Sequence, residues 1–213
     1  MTMQGSGATL TWYHDFISPF AYLHWPKVRA LMQTHAVEVV PILFAAVLEA
    51  NGHKGPAEIP AKRTFTYRHV LWQARRRGTP LRFPPAHPFN PLAALRLAVA
   101  AGNTPEATTA IYDWIWAQGR DAGSVEALAP LLRELGVAAD ALGSDEGKST
   151  LRANTEAAIA AGVFGVPTLA VGSDLFWGDD AHAFAVSVLE EPSLLAEAEM
   201  QRVASLPVGV RRA

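Results

Sequence analysis

Strand-like sequence is confined to the two ends of this 213-residue chain, and the stretch between them is written in helical grammar. Leu10 to Phe16 alternates large with smaller or polar side chains around Trp12, Tyr13 and Phe16, and Val37 to Leu43 is rich in β-branched residues, so both are expected to be strands. Between them, Ser18 followed by Pro19 reads as a helix start. A serine hydroxyl accepts from an orphan backbone N–H there, and proline at the first helical position has no N–H to lose. That helix is expected to reach about Thr34, with a kink at Pro26. Near the other end, Pro167 to Val171 and Leu175 to Trp177, joined by a turn at Gly172 to Asp174, read as a hairpin. A helical pattern then runs from Asp179 to Leu189 and stops at Glu191 and Pro192.

Helices are expected between these ends from about Pro60 to Arg77, closed by Gly78, and from about Ser149 to Ala161, closed by Gly162. Others open at Asn90 with Pro91 and at Thr104 with Pro105, and one runs from Ser124 to Gly136. Pro80 to Pro88 is too donor-poor for a central strand and reads as extended. A β-α-β unit, a helical block and a β-β-α unit, in that order, predict an α/β chain of thioredoxin-like fold with an all-helical insertion domain. The thioredoxin-like part takes residues 9–43 and 162–192, the insertion 44–161, and 193–213 form a C-terminal tail, loose from Leu206 onward.

Composition narrows the chemistry. Cysteine is absent, so disulfides, protein thiolate nucleophiles and thiolate metal sites are excluded, and any sulfur chemistry must use a thiol from solution. A formal net charge of −2 gives no reason to expect nucleic acid or an acidic membrane surface as partner; a small molecule is expected instead. Met1 to Ala8 lacks the basic, apolar and small-residue pattern of a secretory leader, and no apolar run approaches the ~20 residues that span a bilayer, so a cytoplasmic protein is expected. The seven histidines contain no HExxH spacing, and no metal site is expected. No serine stands in a GxSxG elbow and no glycine-rich phosphate loop is present.

Ser18 is the first candidate for function, because a helix N-terminus presents unpaired N–H groups and about half a positive charge, which favours an anion such as a thiolate. Taken alone it reads first as a plain helix cap. Val166 and Pro167 form the second: a proline opening a strand can follow a cis bond, and in a thioredoxin-like sheet this turn faces the first helix, where an exposed Val166 backbone could pair with an extended peptide. Asp179 and Asp180, after Trp177 and Gly178, suit a ligand's ammonium, or serve only as first-turn acids of a helix. Eight of the 18 basic residues lie between Lys54 and Arg82, where Glu58 is the sole acid. That cluster attracts carboxylates or forms a solvated helix face, and Lys62, near the Asn51 loop, is its sharpest candidate.

The segments YHDFISPFAYL (Tyr13 to Leu23), PAEIPAKRTF (Pro56 to Phe65), PFNPLAALRLA (Pro88 to Ala98) and GVFGVPTLAVGSDLFWGDD (Gly162 to Asp180) resemble the 2-hydroxychromene-2-carboxylate isomerase family. That family is a branch of the DsbA-like and kappa-class glutathione transferase group, and the resemblance covers nearly the whole chain. It implies a thioredoxin-like domain with a helical insertion, a homodimer, glutathione as the missing thiol, and an aromatic carboxylate as substrate. By position Ser18 matches the family's catalytic serine, followed by Pro19 and Phe20 at the glutathione site. Val166 and Pro167 match its cis-proline turn, Asn51 and Lys62 its ligand-contacting positions in the insertion, and Trp177, Asp179 and Asp180 its glutathione-contacting loop. The implied activity is glutathione-dependent isomerisation in aromatic catabolism. Two departures, Ala181 where the family pattern has Arg and His69 where it often has Asp, bear on the substrate. They keep open a transferase acting on another electrophile, or a non-catalytic glutathione-binding module.

Overall fold

The computed structural model describes residues 9–210. Its sheet has four strands in the order β2-β1-β3-β4: β1 (Leu10–His14), β2 (Val37–Pro41), β3 (Thr168–Val171) and β4 (Asp174–Trp177). β2 runs parallel to β1, from Leu10 opposite Val37 to His14 opposite Pro41. β3 runs antiparallel to β1, with Tyr13 opposite Thr168, and β4 antiparallel to β3. Two parallel strands need a crossover between them, supplied by α1 (Pro19–Leu31). α8 (His182–Glu190) follows β4. This is the thioredoxin-like arrangement expected from the order of elements.

Alternation along β1 sorts its side chains. Leu10, Trp12 and His14 are fully buried, whereas Thr11 and Tyr13 on the other face are partly covered. The first face meets an aromatic core: Trp12 stacks on His14 at 4.4 Å and on Trp25 of α1 at 5.0 Å, with Tyr112 packed among them. The second face carries a smaller cluster, Val40, Ile42, Val47, Ala158, Val163 and Val166, against α7 (Asp145–Ala160).

Between β2 and β3 the described residues contain helices and turns: α2 (Phe44–Ala50), α3 (Pro60–Arg77), α4 (Leu92–Ala100), α5 (Pro105–Tyr112), a π-helical turn at Asp113–Ala117, α6 (Ala129–Glu134) and α7. α3 has the expected bounds, with Gly78 at φ 64° as its left-handed cap. α5 is capped by Thr104 as expected. These helices share one continuous core with the sheet, in which Leu95, Ile111, Tyr112 and Trp116 join Trp12, Phe16 and Trp25.

Several expectations are corrected. α1 ends at Leu31 rather than Thr34, with Pro26 inside it. α2 is a helix to which the sequence reading assigned no element. α7 begins at Asp145, because Ser144 caps it by accepting from Gly147 N–H at 3.1 Å. Ser124 caps only a turn, and α6 starts at Ala129. α8 opens at His182, so Asp179 and Asp180 precede the helix instead of occupying its first turn. The tail contains a 3-10 turn, Pro192–Ala196, and α9 (Ala198–Ala204). Residues 1–8, and the end of the tail from 211, lie outside the described residues.

Candidate functional site

The loop between β1 and α1 is held from four directions. Asp15, fully buried, accepts from Ile17 N–H through Oδ1 at 3.0 Å and from Phe44 N–H, at the start of α2, through Oδ2 at 2.9 Å. Its own carbonyl accepts from Ser18 N–H at 3.1 Å. Trp116 Nε1 donates to the Phe16 carbonyl at 2.8 Å, and His87 Nε2 donates to the Ile17 carbonyl at 2.8 Å. With Nε2 carrying the proton, His87 Nδ1 is an acceptor for the Tyr67 hydroxyl, 2.6 Å away. Burial pushes the Asp15 carboxyl up to about 7, against the lowering effect of its two backbone donors. His14 beside it is driven down to about 3 by burial and hydrogen-bonds the Tyr112 hydroxyl at 2.9 Å.

Ser18 is the helix cap that its sequence context suggests. Its Oγ accepts from Ala21 N–H at 3.2 Å, and the residue is 7 % exposed. Capping uses a lone pair of the oxygen and leaves the hydroxyl hydrogen over for a further acceptor. Pro19 has no N–H, and Phe20 N–H has no partner among the described residues. The helix end thus keeps two donors, one side-chain and one backbone, in its first turn.

The Val166–Pro167 bond is cis, as the sequence admits. Antiparallel pairing of Tyr13 with Thr168 puts this turn at the end of β1 from which the chain passes to Ser18. Neither Val166 N–H nor its carbonyl bonds to another described residue. The residue is only 6 % exposed, its side chain lying in the smaller cluster, so the surface it offers is narrower than the expected open edge. Trp177, 54 % exposed, stands beside the turn: its ring meets Phe164 edge-on at 5.4 Å, and a Cβ at Gly165 would run into its indole nitrogen. Gly178 N–H donates to the Pro167 carbonyl at 2.8 Å and ties the two loops together.

The pair of acids divides. Asp179 is 2 % exposed, with Lys27 of α1 2.9 Å from Oδ1 and Arg77 of α3 bonded to Oδ2. Lys27 Nζ also donates to the Asp179 carbonyl at 2.9 Å. Although burial acts to raise it, the bonds from Arg77 and Lys27 hold this carboxyl below its usual range. Asp179 is therefore engaged by the protein's own cations. Asp180 is exposed and belongs to none of these ion pairs.

Insertion residues approach the helix end from α3. The Phe20 ring lies 6.1 Å from His69, which is flanked by Phe65 at 5.5 Å and Trp72 at 5.9 Å. Phe65 and Trp72 are exposed. Lys62, also exposed, is seven residues before His69, roughly 10 Å away along the same helix face. Asn51 ends α2 and donates from Nδ2 to the Val47 carbonyl at 2.8 Å. The structure brings Ser18, Pro19, Phe20, Val166, Pro167 and Trp177 to one end of the sheet, and Phe20 links them to α3. Sequence reading passed over Asp15, His87, Tyr67, Lys27 and Arg77; only Asp15, three residues before a Ser-Pro helix start, left a local sign.

A family model for the DSBA-like thioredoxin domain matches residues 9–190. The chain belongs to that family. Within it, a 2-hydroxychromene-2-carboxylate isomerase of Sphingobium xenophagum is 31% identical over 191 residues, covering 85% of this chain and 97% of the relative. Glutathione s-transferase kappa 2 of Caenorhabditis elegans is 27% identical over 174 residues, 73% of this chain and 77% of its own length. A solved 2-hydroxychromene-2-carboxylate isomerase superposes with a TM-score of 0.73 at 24% identity, covering 90% of this chain and 98% of its own, a likeness of fold. Membership of the isomerase branch, with transferase relatives, places the chain among enzymes. No helix among the described residues is long and apolar enough to cross a membrane.

Proposed function

We propose that the chain is a glutathione-dependent isomerase of the 2-hydroxychromene-2-carboxylate type. The observation that supports this best is the pair of donors left over at the start of α1, the Ser18 hydroxyl and Phe20 N–H, beside a turn whose Val166 backbone is unpartnered. A cysteine-free chain with donors so placed suits an external thiolate and a peptide backbone together. Bound there, glutathione would supply a thiolate that adds reversibly to an unsaturated ring carbon, so that the opened ring rotates about a single bond before the thiol is returned.

The protein's share is binding, orientation and charge. Ser18 Oγ–H donates to the sulfur, and the helix end favours its anionic form. Val166 N–H and carbonyl pair with the cysteinyl backbone of the tripeptide, and Asp180, which pairs with no cation among the described residues, faces its ammonium. Lys62 holds the substrate carboxylate. Phe20, Phe65 and Trp72 supply ring faces for an aromatic body, with His69 among them.

Following the ultraviolet spectrum of the hydroxychromene carboxylate with and without glutathione tests the reading. The expected outcome is a glutathione-dependent change that Ser18→Ala slows by ~100-fold; a spectrum indifferent to glutathione rejects it. The aromatic setting of His69 and the absence of Arg at Ala181 favour one other outcome, transfer to an electrophile. A stable conjugate in the mass spectrum of the products would then replace recycled glutathione. Glutathione binding without turnover would leave a non-catalytic module.

A further inference from the structure

A cleft of about 380 Å³ lies between α2, α4 and α7 and shares no lining residue with the Ser18 site. Its size falls in the range of ligand sites, roughly 300–1,000 Å³. Leu43, Leu92 and Ile159 make its walls largely apolar. The one neutral polar side chain on the lining, Thr155, is already used twice: its hydroxyl donates to the Leu151 carbonyl at 2.8 Å and accepts from Leu43 N–H at 3.0 Å.

What remains is charge, and it is mostly positive. Arg96, Lys148 and Arg152 line the cleft against a single acid, Glu156. Lys148 pairs with Asp145 at 3.4 Å, but among the described residues neither arginine has a carboxylate within 4.0 Å. Arg96 is half-buried, and its Nε, closed off on the protein side, has no hydrogen-bond acceptor among the described residues, so a ligand in the cleft is left with its terminal nitrogens. A half-withdrawn guanidinium on an apolar wall, with a second one across from it and no carboxylate on either, calls for an acceptor that also carries negative charge. Inorganic anions would waste the apolar walls, and a neutral apolar ligand would leave the arginine unsatisfied.

We propose that this cleft binds a small organic monocarboxylate with an apolar body, its carboxylate on Arg96 and Arg152 and its body against Leu43, Leu92 and Ile159. The site stands independently of the chemistry at Ser18. Octanoate is a suitable probe and octan-1-ol its neutral counterpart, titrated into the full-length chain while backbone amide resonances are followed. Octanoate is expected to shift the amides of Leu43, Leu92 and Ile159 saturably, with octan-1-ol at least about tenfold weaker. Arg96→Gln and the exposed Arg152→Gln should each weaken octanoate about tenfold, the latter with no risk to folding, and Glu156→Gln should tighten it. Equal affinity for the alcohol, shifts confined to Ser18, Val166 and Trp177, or indifference to Arg152→Gln would overturn the proposal. So would sedimentation showing that Ile159→Arg splits a dimer, since a second copy would then cover the cleft.

Discussion

The two ends of the β1–α1 unit's polar surroundings handle charge in opposite ways. At the Ser18 end, donors remain without acceptors among the described residues, and the neighbouring carboxyl of Asp15 is spent on backbone amides. At the Asp179 end, two cations converge on one buried carboxylate, and a histidine pair stands behind them, His24 Nε2 to His182 Nδ1 at 3.0 Å. Trp12 Nε1 donates to His24 Nδ1 at 3.1 Å, which leaves the His24 proton on Nε2 and directs it to His182. A group whose hydrogen-bonding capacity is filled by its own chain holds the fold; a group with capacity left over is where a ligand adds binding energy.

Protonation offers the largest handle on this contrast. Burial drives His14 and His24 down to about 3, so from about pH 6.5 to 3 the unfolded chain takes up protons that the folded chain refuses, and stability falls with pH. Asp15, pushed up to about 7, acts the other way: between about pH 4 and 7 the folded chain keeps a proton the unfolded chain has released, so its contribution declines as pH rises. His87 and His182 are lowered by burial as well and Asp113 is raised, so the histidines outnumber the carboxyls and stability falls on acidification near pH 5, by about 1.4 kcal/mol per pH unit for each net proton. Urea unfolding at a series of pH values measures it. His24→Gln should flatten the slope near pH 5, and a slope unchanged by that substitution would contradict a neutral His24 in the folded chain.

Asp179→Asn is expected to have the next largest effect. It strands Lys27 and Arg77, whose side chains are about one-third exposed, so water offsets part of the penalty and a loss of ~2 kcal/mol is expected, less than for a fully buried pair. For a chain of this size that corresponds to a fall in Tm of roughly 4–8 °C by calorimetry. Glutathione affinity in the surviving folded protein should change little; a large drop in affinity with unchanged Tm would return Asp179 to the binding site.

Ser18→Ala removes a cap, and ~1 kcal/mol of stability is the expected loss. That small figure explains how much of the site was legible. The β-α-β and β-β-α ends were readable because alternation, Ser-Pro and Gly punctuation act locally, and α3 showed its bounds through Pro60 and Gly78. The cap at Ser18 was equally local. Its surplus donor was not, since it depends on what Asp15, His87 and Trp116 do to the loop from distant parts of the chain. The ion pairs of Asp179 were illegible for the same reason: two adjacent acids look alike in sequence, and only the tertiary arrival of Lys27 and Arg77 separates them. α2 was missed because its seven residues have neither a capping side chain nor more than one buried residue to set a period. Ser144 was passed over in favour of Ser149, one helical turn too late.

The smallest effect on stability, and the sharpest division of the two acids, is expected from Asp180→Asn. An exposed carboxylate outside the ion-pair network contributes within about 0.5 kcal/mol to folding, so Tm should hold. If Asp180 faces the ammonium of glutathione, the same substitution weakens glutathione binding by several-fold, as calorimetric titration would register, and more strongly at low salt than at high salt because the contact is solvent-exposed. Asp179→Asn and Asp180→Asn then form a crossed pair: one lowers Tm and spares affinity, the other spares Tm and lowers affinity. Reversal of that pattern would mean that Lys27 and Arg77 yield Asp179 to the ligand on binding, and that the ion pairs of the free protein belong to a closed form of the site.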